Sequence, residues 1–435
     1  MFQAIIIRTH YTSPFKQRTA IICGNTRVFE GFMFRYLLIT ALLFIGAVHP
    51  ALAEELTAKA PDNFTALEER LRQHPEIEAY ASRVEASESY SKGELVLPDP
   101  MLFFEQRDYR FNPSMGGGSG DTMLGFQQDI PRLSLREARS GKIRIESGKN
   151  QLLKDYAFAA MKAKMIMAFA NLEKIKELRT IAKEQEKLLK TQRQSLKGNV
   201  AANRAGFSEL SMTDAELQEI SITLSELQEE HHGMEAILIN LLGEVPSIKL
   251  PPIKMLAWDN NTNNTYPVAI ASSDIDMANK EVDVREAEYG PNFQIRGSTG
   301  RMDNGDSGGS VMLGISIPLW ASESQKPKLQ GAKSSLRAAQ FDQDMIRREV
   351  IQKLTHMSAQ IENSATKITL LDKKESLLED SAKAASREYE AGKADFSVIL
   401  KARREAFSVA AQNAGEKAKR IALIADFNHY IMQGE

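Results

Sequence analysis

Cysteine is nearly absent from this chain of 435 residues: the single one is Cys23. Downstream of it no disulfide can form, no thiolate can hold a metal, and no cysteine is available for acylation as in a lipoprotein. Bulky core formers are also sparse, with 2 tryptophans and 10 tyrosines, and there are only 15 prolines against 26% charged residues. Such a composition suits long charged helices better than several compact cores. Basic residues are not in excess either. Once residues 1–53 are set aside, 50 basic and 56 acidic residues remain, a net charge of about −6 that argues against nucleic acid as the main partner. Ser, His and Asp occur without any diagnostic catalytic setting, so no enzyme is expected. The glycine-rich run Gly116 to Gly120 lacks a following Lys-Ser or Lys-Thr and is not a phosphate loop.

What is present begins with an export signal. Arg35 precedes an apolar run from Tyr36 to Val48, too short to cross a membrane as a helix, and Ala51-Leu52-Ala53 supplies a small-x-small cleavage pattern. A signal starting at Met33 places these parts in the usual order, which makes residues 1–32 an unused upstream start and predicts a mature chain from Glu54.

Beyond the signal, one order of parts occurs twice. Pro100, Met123-Leu124-Gly125, Pro131, a long charged helix, Ala205-Gly206 and a second helix reappear as Pro291, Met312-Leu313-Gly314, Pro318, another long helix, Ala391-Gly392 and a final helix. A whole module is therefore duplicated. The segments read as follows: 1–53 unused start and signal, 54–96 an N-terminal helical segment broken near Pro75, 97–250 the first repeat, 251–288 a linker and helix, and 289–435 the second repeat.

Within each repeat, two short strands precede a helical hairpin. Met101 to Phe111 and Thr122 to Ile130 form the first pair; Asn292 to Met302 and Ser310 to Ile317 form the second, around a turn from Asp303 to Gly309. Phe293, Ile295 and Gly297 alternate with Gln294, Arg296 and Ser298, as a two-sided strand requires. Met161, Met165, Ala168, Leu172, Ile175, Arg179, Ala182, Glu186 and Leu189 recur at alternating steps of four and three, a heptad seam. Leu217 to Leu241 continue that spacing on the returning helix, and Val350 to Tyr389 repeat it at greater length. The predicted class is mainly α with a small β part. Four strands are too few to close a membrane barrel, so if they meet lipid, several chains must share one.

Leu97-Pro98-Asp99-Pro100-Met101-Leu102, the paired Met-Leu-Gly segments and Tyr389-Glu390-Ala391-Gly392-Lys393-Ala394-Asp395-Phe396 together resemble the TolC family of outer-membrane efflux channels, in particular its heavy-metal (CzcC/CusC-like) branch. The resemblance covers residues 54–435. It implies a homotrimer whose long helical hairpins form a periplasmic α-barrel and whose strands make a shared β-barrel in outer-membrane lipid. It also implies a periplasmic adaptor and an inner-membrane pump of the RND type as partners, no cofactor, and passive export of heavy-metal cations.

Tip residues expected to meet the adaptor are Gly206, Phe207, Glu209 and Leu210 at the first bend and Gly392, Lys393, Asp395 and Phe396 at the second. Glycine suits both bends, because a tight helix reversal is easiest without a side chain. Acidic residues shortly after the second bend gate the family's tunnel. Here Val398 and Lys401 stand at the matching positions, which leaves Glu209, Asp214 and Asp395 as gate candidates. Efflux of organic compounds or type I secretion through the same fold are alternatives, and a periplasmic coiled-coil scaffold or adaptor is the alternative of another class.

Two clusters invite a metal reading. Met161, Met165 and Met167 could suit Cu(I), but two of them fall on the seam, where methionine serves as an adaptable core filler. His231-His232 and Glu235 could share a helix face, but adjacent helical residues point about 100° apart. A packed or hydrogen-bonded histidine is therefore expected, and no metal site.

Overall fold

A computed structural model describes residues 63–107, 120–202, 206–302 and 304–432, all within one unit of the chain. The signal, its cleavage point after Ala53, the run from Gly116 to Ser119 and Ala205 lie outside the described residues.

Local chemistry sets the helix ends. Asn63 caps α1 (Phe64–Arg72), its side chain accepting from the Ala66 amide at 2.8 Å. His74 then caps α2 (Pro75–Glu94), accepting from the Glu76 amide at 3.2 Å, with Pro75 pre-set for the first turn. The break expected near Pro75 is thus a new helix start. Strands β1 (Met101–Gln106) and β2 (Thr122–Ile130) lead into α3 (Leu133–Ala201), a helix of 69 residues, about 100 Å at 1.5 Å per residue. Its return partner α4 (Phe207–Leu242) stops at Gly243, which takes a left-handed φ of 79° while its N–H reaches Ile239 O at 2.7 Å.

The second half repeats the series as α5 (Tyr266–Ala287), β3 (Asn292–Arg301), β4 (Ser307–Ser316), α6 (Gln325–Glu390, 66 residues) and α7 (Phe396–Asn428). The turn between β3 and β4 is shorter than its glycines suggested. Gly308 and Gly309 pair in the ladder with Gly300 and Thr299, so only residues around Gly305, at φ 91°, form the bend. A glycine in a strand can pair like any residue, so composition overstated the turn.

Shorter helices pack along each long helix, chiefly four on α3 and two on α6. The first part of α3 packs on α2 and α5, through Ser91–Ser140, Lys142–Glu281 and Lys149–Asp274. Its second part packs on α4 and α7. Likewise α6 packs on α5 and α7, with Lys333 to Glu286 and Lys367 to Glu416 at those contacts. The heptad seams are the buried lines: Met161, Met165, Ala168, Ile175, Ala182 and Leu189 on α3, and Val350, Leu354, Met357, Ile361, Leu371 and Ala385 on α6. Met161 and Met165 sit in one apolar cluster with Leu67, Leu71, Phe169 and Leu238, where they fill core space as expected. None of the described helices is long and apolar enough to cross a membrane.

Candidate channel wall and tip

The four strands form one antiparallel sheet in the order β1-β2-β3-β4. Register fixes what each face carries, because paired residues point the same way. Leu102 opposes Phe126, Phe126 opposes Gly297, and Gly297 opposes Val311; Phe104 opposes Leu124; Phe293 opposes Ile315; Ile295 opposes Leu313. All these side chains lie on one face, and Leu102, Phe104, Val311 and Leu313 are more than 65% exposed. A contiguous apolar surface of this kind marks contact with lipid or another protein.

The opposite face is polar. Arg296 reaches Glu105 at 2.8 Å and lies over the Phe103 ring at 4.1 Å, Gln294 donates to Asp129 at 2.8 Å, and Ser298 meets Ser310 at 2.8 Å. Gly125, the glycine of the first Met-Leu-Gly, leaves room for Phe103: a Cβ there would lie 2.4 Å from the ring and 2.5 Å from Gly297 O. The motif thus places Leu124 on the apolar face and glycine beneath an aromatic ring on the polar one. Among the described residues β1 and β4 pair on one side only, so the sheet is open at both edges.

At the far end of the hairpins the two bends differ. Gly392 has φ 70°, a conformation that side chains resist, and its N–H reaches Tyr389 O at 2.9 Å. Gly206 has φ −81° and ψ 146°, an extended cap open to most residues. Neither would meet another atom within 4 Å if given a Cβ. The expectation that glycine suits both bends therefore holds as a requirement only for Gly392.

The tip candidates separate by exposure. Phe207 is 72% exposed, Lys393 and Asp395 are exposed, and Glu209 and Leu210 are half-buried, Leu210 against the core cluster at the bends. Phe396, expected as a contact residue, is 1% exposed. Its ring packs edge-on against Tyr389 at 5.6 Å, in a cluster that draws on α3, α4, α6 and α7. Burying an aromatic ring against four helices outweighs presenting it to solvent, so Phe396 is corrected from surface contact to packing anchor. Tyr389 has a raised pKa, first from burial and then from the Glu209 charge, and Leu210 and Tyr389 pack against the same cluster, one from each bend.

Asp214 is not a free gate carboxylate. Arg193 of α3 grips it through Nε and through Nη2 at 3.2 Å, and this hydrogen bonding, with the Arg193 and Lys197 charges, holds its pKa below the ordinary aspartate range despite some desolvation. Asp395 begins α7 without capping it.

A second ion pair was invisible in the sequence. Glu216 of α4, 9% exposed, receives Arg404 of α7 through Nε at 3.0 and 2.8 Å and through Nη2. The neighbouring Arg403 donates to Ser386 of α6 at 3.3 Å, and its carbonyl accepts from Gln185 of α3 at 3.4 Å. Four helices are therefore fastened together about 12 Å along α7 from Phe396. A separation of 188 residues between Glu216 and Arg404 leaves no local signal to find.

Among the described residues one group could hold a metal ion: His231, His232 and Glu235. Both histidine Nδ1 atoms face Glu235 Oε2, at 3.3 and 3.0 Å, although helical phase had argued against convergence. Side-chain torsions bridge the 100° between the two Cβ directions.

Residues 263–424 match the model of the family described as outer membrane efflux protein. No curated protein matches the chain. Among solved structures, the outer membrane protein VceC from Vibrio cholerae is similar at TM-score 0.70 and 14% identity, over 84% of this chain and 95% of that one. CusC is similar at TM-score 0.73 and 12% identity, over 86% and 93%, and the Campylobacter jejuni CmeC outer membrane channel at TM-score 0.72 and 13% identity, over 85% and 86%. This chain thus has the fold of outer-membrane channel proteins, and its second repeat matches the outer membrane efflux protein family.

Proposed function

We propose that the chain is one protomer of an outer-membrane efflux channel, a passive exit duct that carries out no chemistry. The observation that carries this reading is the open sheet, apolar on one face, polar on the other and unpaired at both edges. Unpaired edges are not tolerated in lipid, so the sheet closes with copies of itself. Three copies give twelve strands, an even number within the known range of such barrels. The apolar face then meets lipid and the polar face, with Arg296, Glu105 and Asp129, lines water. The hairpins, charged on their outer faces, continue the duct into the periplasm after export and signal cleavage at Ala53.

At the tip, a periplasmic adaptor attached to an inner-membrane pump of the RND type docks against Phe207, Lys393 and Asp395. Opening requires the α3–α4 hairpin to move against α6–α7, and the Glu216–Arg404 pair and the Phe396 cluster resist that movement. Glu209 and Asp395 are the gate candidates, since Asp214 is paired with Arg193. For cargo we propose heavy-metal cations, on the resemblance of Leu97 to Leu102 to that branch.

Reconstitution of the full chain in planar lipid bilayers tests the channel: discrete conductance steps are expected, and a silent bilayer with folded trimer present overturns it. Deleting the gene tests the cargo. Sensitivity to metal salts supports the proposal, and sensitivity to organic toxicants alone replaces it with organic-compound efflux.

A further inference from the structure

The cluster on α4 goes unused by the duct. His231 and His232 present Nδ1 to the same oxygen of Glu235, at 3.3 and 3.0 Å, and the three ligand atoms lie within 4.8 Å of one another. An ion in tetrahedral coordination, with bonds of about 2.0–2.1 Å, holds its ligands roughly 3.3–3.4 Å apart. The two measured separations are close to such edges. His231 Nδ1 is buried and has no hydrogen bond, for its contact with Glu235 lacks the alignment of one. A nitrogen held in that position is placed to act as a ligand.

The surroundings fit the same reading. As placed, Gln228 Nε2 donates to His232 Nε2 at 2.7 Å and His232 Nδ1 donates to Glu235 Oε2 at 3.0 Å. Metal on Nδ1 displaces that proton to Nε2, where the Gln228 amide, turned over, accepts the N–H through its oxygen. His232 is 66% exposed, so an ion can enter and a water can fill the fourth position. Lys176, Arg179 and Lys183 of α3 line a cavity that His231 and Glu235 also line. These cations repel any divalent ion, a cost that Glu173 and Glu235 in the same cavity offset, while a single carboxylate among the ligands disfavours Mg2+ and Ca2+, which need several oxygen donors. Two imidazoles favour Zn2+, Ni2+ or Cu2+.

We propose that His231, His232 and Glu235 bind one divalent transition-metal ion per chain. The site lies 25 residues beyond Gly206, about 38 Å along α4. It stands apart from both the bends and the sheet, and it does not depend on the channel reading.

Zn2+ titration of the full chain, purified without a histidine tag and read by competition with a chromophoric chelator, tests it. One Zn2+ per chain is expected, unaffected by millimolar Mg2+. Binding should weaken at least about tenfold in His232→Ala and Glu235→Gln and stay unchanged in His356→Ala, a control on α6. Co2+ should give the visible absorption of a tetrahedral site in the wild type only. His232 is the exposed member, so His232→Ala keeps the test available if His231→Ala fails to fold; melting without metal checks this. Equal Zn2+ affinity in wild type and His232→Ala, or displacement by Mg2+, overturns the proposal.

Discussion

The two bends occupy equivalent places in a duplicated chain and are built by different means. At the second, a left-handed Gly392 turns the backbone and Phe396, four residues on, plugs into a cluster fed by four helices. At the first, Gly206 is extended, Leu210 holds the matching place half-buried, and Phe207 projects into solvent. The two hairpins share one plan, yet one bend is an anchor and the other an exposed surface. Under the proposed function, an adaptor at the tip would encounter two kinds of site per chain.

That contrast can be broken at the anchor first. Phe396→Ala removes a fully packed ring and should cost about 3–5 kcal/mol, seen as early thermal unfolding with new protease cutting near residue 392. Leu210→Ala should cost clearly less, and equal losses would erase the distinction. Arg404→Ala comes next. It leaves the Glu216 carboxylate buried without a partner, but the Arg404 side chain is 67% exposed, so the loss should be about 1–2 kcal/mol rather than that of a fully buried pair. In bilayers the same variant should raise the open probability of the unliganded channel.

Backbone strain separates the glycines more gently. Gly392→Ala should destabilise by about 1–2 kcal/mol, because φ is positive there, whereas Gly206→Ala should stay within about 0.5 kcal/mol. Denaturant midpoints of the two variants decide it. Phe207→Ala should leave the midpoint alone and weaken co-purification with the adaptor. The smallest effect concerns Asp214. Its pKa is lowered in the folded state, so the Arg193 pair contributes stability above the unfolded aspartate pKa and loses it as pH falls through the folded one. Asp214→Asn should therefore be slightly less stable than wild type at pH 7, and the difference should shrink as pH falls below about 4, flattening the acid limb of the stability–pH curve.

Much of this architecture was legible because it is periodic. The seam from Val350 to Tyr389 has no fully exposed position, as spacing of four and three predicts when a helix packs along one stripe. Pro75 and Gly243 marked helix ends through chemistry local to those residues. What the sequence hid depends on three dimensions. Gly206 and Gly392 look alike in a string of letters, and only φ separates them. Phe396 follows a glycine at a bend, where exposure was the natural expectation, yet the neighbouring hairpin covers it. Glu216 and Arg404 meet across two hairpins, and helical phase, which omits side-chain reach, hid the convergence of His231 and His232 on Glu235, although His232 is hydrogen-bonded as expected.

The central claim, that the open sheet closes among copies of this chain in the outer membrane, is tested most directly by fractionating cells that express the full chain. Recovery in the outer-membrane fraction as a trimer that resists extraction by carbonate is the predicted result. Recovery wholly in the soluble periplasm, with the sheet intact, would contradict it and favour a coiled-coil scaffold.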